Sequence, residues 1–379
     1  MSEKIPQTQF NPTRYALLQR ASFLQGDVAR ENFLAWNAQI DWNAHLNTDE
    51  YRLLPQLVRS LSAQNFEHAW SGKFRGIARK AWVTNNLLFR ELAPTLKILR
   101  DANIGTLVLY GGAFARRYDS EYVMSYGASD CGILVREQQA RDAYQFLARN
   151  GWKPTPEISE RVLAKYLTAR FSHAFQNARG EQIILQWQLI PHCNAVEADA
   201  EFWGRAEEIE LHDVRVLTLN PTAQLVHTAL FGAQARGATP MQRASDAMLL
   251  LNAARNEIEW ETVFALAQTR RVVLPIRETL EYAMRELNAP ISSDVLAKIK
   301  LLPISAQEKS ERALWNATTK RERAEKMWRI AARRSCNANA WQRAFAFPQF
   351  LQHWWGLDGA AQLPQRAFAA INLRQAGPA

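Results

Sequence analysis

The stretch that decides the fold runs from Asn103 to Arg136 and reads NIGTLVLYGGAFARRYDSEYVMSYGASDCGILVR. It begins with an apolar run, Thr106 to Leu109, and the glycine pair Gly111-Gly112 follows shortly after it. A short basic segment and a polar loop come next, and Asp130 opens a second apolar run. This order predicts a strand, a glycine turn, a helix, a loop and a second strand.

The glycine pair and the acid that follows it are also a candidate ligand site. Glycines directly after a strand let the backbone approach a ligand, and the amides at the start of the next helix suit a phosphate group. A carboxylate at the start of the following strand, here Asp130, can hold a divalent metal that bridges that phosphate. The same residues equally fit a tight strand-to-helix turn with an aspartate cap, so both interpretations stay open.

Chain length and composition indicate a folded protein with more than one core. At 379 residues the chain exceeds what one core normally serves, which predicts two or three domains. Apolar residues make up 47% and charged residues 22%, as in folded soluble proteins. Cys131, Cys193 and Cys336 lie far apart without a CxxC spacing, which indicates neither a zinc site nor a disulfide framework.

The net charge favours an anionic partner. A formal charge of +9 and a pI near 9.6 suit a nucleotide, RNA or an acidic protein, although a merely soluble protein can have the same balance. The opening residues, MSEKIPQTQFNPTR, lack the apolar core of a signal peptide. No apolar run reaches the length of about 18 residues that a membrane helix needs. We therefore expect no membrane insertion and a cytoplasmic location.

Helical periodicity flanks the opening stretch on its N-terminal side. Apolar residues recur at intervals of three and four in three short segments between Thr13 and Leu61. The longest helical pattern follows from Phe74 to Asn103, with Pro94 as a candidate kink. These segments predict an N-terminal helical region over residues 1–102.

Beyond Arg136 the pattern is mixed. An amphipathic helix is predicted from Glu137 to Asn150, and the runs 170–176 and 182–189 predict a hairpin joined by Asn177-Ala178-Arg179-Gly180. A further strand is predicted from Ile209 to Leu217. Residues 103–220 therefore predict a small mixed sheet of an α+β protein, and the helical patterns after Pro221 predict a C-terminal helical domain over 221–379.

One C-terminal helix is strongly basic. The segment Lys320 to Arg334 reads KRERAEKMWRIAARR, and Trp315, Trp328 and Trp341 lie in or near it. Cations interleaved with aromatic rings suit a nucleic acid backbone and its bases. A solvated helix face with its tryptophans turned inward gives the same sequence pattern.

Several short motifs, taken in order, resemble a known family. They are Leu109-Tyr110-Gly111-Gly112, then Asp130-Cys131-Gly132-Ile133-Leu134-Val135, then Ile184-Leu185-Gln186-Trp187, and finally QRASDAMLLL at 242–251 with Trp260 after it. Their order and spacing resemble the uncharacterised nucleotidyltransferase family of the DNA polymerase β-like superfamily, roughly from Tyr15 to Leu357. The resemblance implies an α+β fold in which a small mixed-sheet nucleotidyltransferase core is flanked by N-terminal and C-terminal helical regions.

The resemblance also implies which residues would form a site. Asp130 matches the first metal-binding acid of the family, so it is the candidate catalytic residue and Mg²⁺ ligand. The candidate contacts for the phosphates of an NTP are Gly111, Gly112, Arg116, Arg117 and Arg136. Asp246 matches a landmark of the helical region, where it either orients a substrate or pairs with a neighbouring helix.

The departures from the family pattern bear directly on activity. Nucleotidyl transfer in this superfamily uses two divalent metals held by three carboxylates. Gly132 stands at the second acidic position, Ile184 at the third, and Gln186 at a neighbouring histidine. Asp119, Glu121 and Glu181 are the acids that remain as candidate substitutes.

Three functions follow as alternatives. The first is a degenerate nucleotidyltransferase fold, or pseudoenzyme, that binds a nucleotide, RNA or a protein. The second is an active Mg²⁺-dependent enzyme with a rearranged carboxylate set that transfers NMP from NTP to RNA, protein or a small molecule. The third is a non-enzymatic interaction scaffold whose basic face binds an acidic protein.

Overall fold

A computed structural model of the chain describes residues 10–42, 46–110, 131–190, 199–235, 239–315, 319–334 and 340–372. Within these ranges the strands form one mixed seven-stranded sheet. The strands are β1 (Thr106–Tyr110), β2 (Cys131–Val135), β3 (Lys153–Thr155), β4 (Ser172–Gln176), β5 (Gln182–Gln186), β6 (Ala206–Leu211) and β7 (Val214–Leu219). Their order across the sheet is β3-β4-β5-β2-β1-β7-β6.

Parallel and antiparallel pairs alternate near the centre of the sheet. Strand β2 runs antiparallel to β1 and parallel to β5, while β1 runs parallel to β7. The predicted hairpin is confirmed as β4 and β5, in which Gly180 adopts a φ of +86° in the connecting turn. The predicted α+β class with a mixed sheet and helical flanks is therefore confirmed.

The strand predicted from Ile209 to Leu217 is wrong in one respect, because the structure divides this region into β6 and β7. His212 and Asp213 form the turn, with φ values of +45° and +63°. A two-residue hairpin loop with positive φ at both positions matches the twist of the flanking strands. Histidine and aspartate enter this region of φ more readily than most residues other than glycine.

The N-terminal region is a set of four helices around a core of its own. They are α1 (Pro12–Phe23), α2 (Gly26–Asn37), α3 (Thr48–Ala63) and α4 (Ser71–Asp101). The side chains of Asn11 and Asn47 accept hydrogen bonds from backbone amides at the starts of α1 and α3. Such caps satisfy amides that have no partner inside the helix. Trp36 and Phe74 are buried at the centre of this core.

The remaining helices surround the sheet and continue to the end of the described chain. They are α5 (Ala140–Arg149), α6 (Glu160–Ala169), α7 (Ala200–Gly204), α8 (Pro221–Ala235), α9 (Pro240–Ala254), α10 (Trp260–Thr269), α11 (Val273–Leu287), α12 (Ser293–Leu301), α13 (Ala306–Trp315), α14 (Lys320–Arg334), α15 (Ala340–Trp354) and α16 (Leu363–Asn372). Among the described helices, none has the length and apolar character required to cross a bilayer.

The two faces of the sheet pack against different helices. Val108 and Ile133 face a core shared with α4, α5 and α6. Leu107, Leu109 and Leu134 face a core shared with α8 to α11. This alternation follows from the strand geometry, because successive side chains point to opposite faces.

Helix α1 ties the N-terminal region to the C-terminal helices. The Tyr15 hydroxyl lies 3.1 Å from Ser245 Oγ, and Gln19 Nε2 donates to Ser245 Oγ at 2.6 Å. Tyr282 on α11 donates to Gln19 Oε1 at 3.0 Å. Because these regions share contacts, the domain limits at residues 102 and 220 stay a prediction.

Candidate functional site

One row of residues across four strands includes the two positions, 132 and 184, that the resemblance matches to acids of the family pattern. Gly132 of β2 is the direct partner of Leu109 on β1 and of Ile184 on β5. Ile184 in turn pairs with Ala174 on β4. Neighbouring strands lie about 4.8 Å apart, and paired residues project to the same face. Positions 132 and 184 are therefore immediate neighbours on the face that packs towards the C-terminal helices.

The side chains in this row cannot bind a metal. They are a hydrogen at Gly132, hydrocarbons at Ile184 and Leu109, and a methyl group at Ala174. Gly132 and Leu109 are buried, whereas Ile184 is half-buried. Mg²⁺ requires oxygen ligands, so nothing in this row can substitute for the acids of the family pattern.

The rest of this face on the same four strands also lacks acids. Its polar side chains on β4 and β5 are Ser172, Gln176, Gln182 and Gln186. Across the residues that the structure describes, no group of three or more histidine, cysteine, aspartate or glutamate side chains is placed to hold a metal ion. On these four strands the described part of the face offers neutral hydrogen-bonding groups rather than negative charge.

Two glutamates do share this face, but they lie at its far edge. Glu208 and Glu210 on β6 pair with Leu217 and Arg215 of β7. Three strand spacings separate β6 from β2, which is about 14 Å. A Glu208 carboxylate oxygen also lies 3.6 Å from Arg215 Nη1. Neither acid is therefore a neighbour of Gly132.

Glu181, one of the candidate substitutes, belongs to the hairpin turn. Its carboxylate accepts a hydrogen bond from Asn177 Nδ2 at 2.6 Å, and its backbone amide donates to Asn177 Oδ1 at 3.0 Å. Strand alternation places position 181 on the opposite face from Ile184. The other two candidate substitutes, Asp119 and Glu121, lie outside the described residues.

Most of the predicted site residues fall in the segment between β1 and β2. Gly111, Gly112, Arg116, Arg117 and Asp130 lie outside the described residues. Tyr110 and Cys131, the described residues on either side of this segment, are cross-strand partners. The roles of the segment in phosphate and Mg²⁺ binding stay predictions.

Arg136 is described, and it lies at the other end of β2. It is four residues beyond Gly132, which is about 13 Å along a strand. Its guanidinium carbon lies 4.6 Å from the ring centroid of Trp203 on α7, a cation–π contact. The structure does not bring Arg136 and Gly132 together.

Asp199, directly before α7, has a carboxylate whose pKa is shifted by its surroundings. Asp199 Oδ2 accepts a hydrogen bond from the Leu189 amide at 2.7 Å. Burial raises the pKa of Asp199 to about 6, although the Leu189 amide and the nearby Arg270 favour the charged form. Sequence analysis missed Asp199, because the residue lies in no periodic element and only the folded chain brings it to Leu189.

Two described histidines, His173 and His227, are buried, and burial favours their neutral forms. Burial lowers the pKa of His173 to about 4 and that of His227 to about 3. His173 Nδ1 lies 2.7 Å from the Tyr166 hydroxyl.

Asp246 lies on α9, where its charge acts on Tyr15 of α1. Asp246 therefore lies near the contact between α9 and α1.

Comparison of the sequence with known protein families agrees with this α+β architecture. The sequence model of the family described as "Uncharacterised nucleotidyltransferase" matches residues 38–288, which include the whole described sheet. Neither a curated protein nor a solved structure matches the chain significantly. The family match covers more than half of the chain, so the chain belongs to the uncharacterised nucleotidyltransferase family.

Proposed function

We propose that this chain is a nucleotidyltransferase-family protein without a two-metal centre, and that it works by binding a nucleotide, RNA or a protein rather than by transfer. The pairing of Gly132 with Ile184 supports this proposal most directly. These neighbouring positions match the second and third acids of the family pattern, and neither has a ligand atom.

A two-metal site needs more negative charge than the row through Gly132 supplies. A two-metal site places two divalent cations about 3.5–4 Å apart, where they clamp the attacking and leaving oxygens. Several carboxylates must offset their mutual repulsion, since close like charges destabilise each other. With Gly132 and Ile184 in the row, only Asp130 remains of the three acids. One carboxylate together with phosphate oxygens suits a single Mg²⁺.

A thermal-shift titration of the full chain with each NTP and Mg²⁺ tests the binding of nucleotide. A ligand at one hundred times its Kd adds about 2.7 kcal/mol to the free energy of unfolding, which gives a clear shift in Tm. The expected shift is Mg²⁺-dependent and is lost in Asp130→Ala. If no NTP raises Tm, the nucleotide version fails and binding of a macromolecular partner remains.

A gain-of-site experiment tests the missing acids. The double variant Gly132→Asp with Ile184→Asp restores two neighbouring carboxylates, and we expect it to increase the Mg²⁺-dependent Tm shift of NTP. The matched control, Gly132→Asp with Ala174→Asp, adds the same charge but places the second acid one strand further out. Equal shifts in the two variants would mean that the row through Gly132 is not the metal site.

An assay with labelled NTP and candidate acceptors tests the competing enzyme hypothesis. We expect the wild-type chain to leave the label on the nucleotide. Transfer of labelled NMP by the wild type, abolished in Asp130→Ala, would overturn the proposal and identify an active transferase with a rearranged site.

A further inference from the structure

Helix α4 packs into a core at each end and is exposed on one side in between. Phe74 and Ala78 near its start lie in the core of the N-terminal helices. From Leu88 to Leu99 six of its apolar side chains lie in the core behind the sheet. Between these anchors, six residues are exposed: Arg79, Lys80, Trp82, Val83, Thr84 and Leu87. The middle of α4 therefore has an accessible side, opposite the buried Asn85.

This surface is positively charged over a long distance. From Ser71 to Arg90 the helix has five cations and no carboxylate; the cations are Lys73, Arg75, Arg79, Lys80 and Arg90. Arg75 pairs with Glu67 at 2.8 Å, and Lys73 lies over the rings of Trp42 and Trp70. Arg90 Nη2 lies 4.0 Å from Glu91 Oε1, whereas in the part of the chain that the structure describes Arg79 and Lys80 have no carboxylate within ion-pair distance.

Helical periodicity arranges the exposed groups around one face. With 3.6 residues per turn, Arg79, Val83, Leu87 and Arg90 lie on this face, and Trp82 and Lys80 border it on opposite sides. Trp82 remains 41% exposed despite its size. Gly72 and Gly76 continue the same face, and a Cβ atom built on either would meet nothing within 4 Å. The helix backbone is therefore open to a close approach there.

The basic helix α14 is less suited to an external partner. Arg329 donates to Glu325 and Ser310, and burial lowers the pKa of Lys326. Trp328 packs edge-on against Phe347 of α15, with ring centroids 5.2 Å apart. These contacts direct much of the basic and aromatic character of α14 into the protein.

We propose that the exposed middle of α4 binds single-stranded nucleic acid, with Arg79, Lys80 and Arg90 on the phosphates and Trp82 stacked on a base. Surfaces of this kind combine cations that follow the backbone with an aromatic platform. Only an unpaired strand offers its bases for stacking. The twenty-residue run without a carboxylate favours a polyanion, and Trp82 favours one with aromatic groups. This proposal does not depend on the site around Gly132.

Fluorescence anisotropy of a labelled 20-mer of oligouridylate, titrated with the full chain over a range of salt concentrations, tests the proposal. Three phosphate contacts predict a slope of about −2 in log K against log salt. Arg79→Ala with Lys80→Ala should reduce the magnitude of that slope by about 1.4. The matched control, Arg161→Ala with Lys165→Ala on the exposed side of α6, removes the same charge and should change little.

Trp82→Leu separates stacking from charge. Loss of one base stack should weaken oligouridylate binding roughly fivefold or more, with an unchanged salt slope. A 20-mer of polyglutamate should bind more weakly and be insensitive to Trp82→Leu. Circular dichroism should show that each variant keeps its helical content.

Three outcomes would overturn the proposal. They are an absence of oligouridylate binding at low salt, equal losses in the α4 variants and the α6 control, and polyglutamate binding as tight as that of RNA. The last outcome would identify an acidic protein as the partner. A Tm shift with NTP would be unaffected in all three cases, so this test and the test of the proposed function fail separately.

Discussion

The guanidinium of Arg136 lies 4.6 Å from the ring centroid of Trp203, at the end of β2 remote from Gly132. Arg136→Ala should therefore lower stability rather than nucleotide affinity. We expect a loss of about 1 kcal/mol in urea unfolding and an unchanged Tm shift with NTP and Mg²⁺. Arg136→Lys should retain part of the stability. Loss of the NTP-dependent Tm shift without a loss of stability would instead indicate that Arg136 contacts the phosphates.

An ion pair between a partly exposed arginine and a buried glutamate joins α1 to α3. Glu50 is fully buried, and its carboxylate accepts two hydrogen bonds from Arg14, at 2.5 and 2.6 Å. Arg14→Ala leaves this charge without its cation and should cost about 3 kcal/mol in chemical unfolding. Adding Glu50→Gln should recover part of the loss, because the uncompensated charge is then gone.

The pair between Arg20 and Glu286 is the control for that comparison. These side chains are 37% and 20% exposed, so solvent screens their attraction. Arg20→Ala should cost less than about 1 kcal/mol. Equal losses in Arg14→Ala and Arg20→Ala would show that burial does not decide the contribution of Glu50.

His173 should make the fold sensitive to acid. Burial, together with the nearby Arg170, lowers the pKa of His173 from 6.5 to about 4. The unfolded chain therefore binds the proton more readily, and stability is lost as pH falls from about 6.5 towards 4. Compared with His173→Gln, the wild type should lose roughly 3 kcal/mol across this window. Urea unfolding at a series of pH values measures the difference, and parallel curves would contradict the assignment.

Asp199 should have the opposite effect on the pH dependence of stability from His173. Its pKa in the folded chain is raised from 3.8 to about 6, so the folded state binds the proton more readily than the unfolded state. The wild type should be most stable relative to Asp199→Asn below pH 4, and this advantage should decline as pH rises through 6. The asparagine oxygen can still accept from the Leu189 amide, which makes the comparison a test of charge. A difference that does not vary with pH would mean that Asp199 keeps an ordinary pKa.

Local sequence signals were sufficient for the elements with strong patterns. The run Thr106 to Leu109 and the turn at Asn177 to Gly180 predicted β1 and the β4–β5 hairpin, because an apolar run and turn residues act over a few positions. The turn at His212-Asp213 was missed because it contains no glycine. Strand β3 was missed because Lys153-Pro154-Thr155 is too short to show alternation.

The arrangement of the site was less accessible from sequence. The resemblance identified positions 132 and 184, but only the register of β2 and β5 shows that they are direct neighbours. Arg136 follows β2 closely in sequence, yet the strand carries it away from Gly132. Asp199 and Leu189 are ten residues apart, and no local periodicity relates them.

The double anchoring of α4 has a consequence for how the chain unfolds. One uninterrupted helix contributes Phe74 to the first core and Leu96 to the core behind the sheet. Unfolding the whole of α4 would expose apolar surface in both cores, so the N-terminal helices and the sheet should lose structure in a single cooperative transition. A shortened chain that starts after α3 would leave the apolar side chains in the first turns of α4 exposed to solvent. We expect such a chain to aggregate.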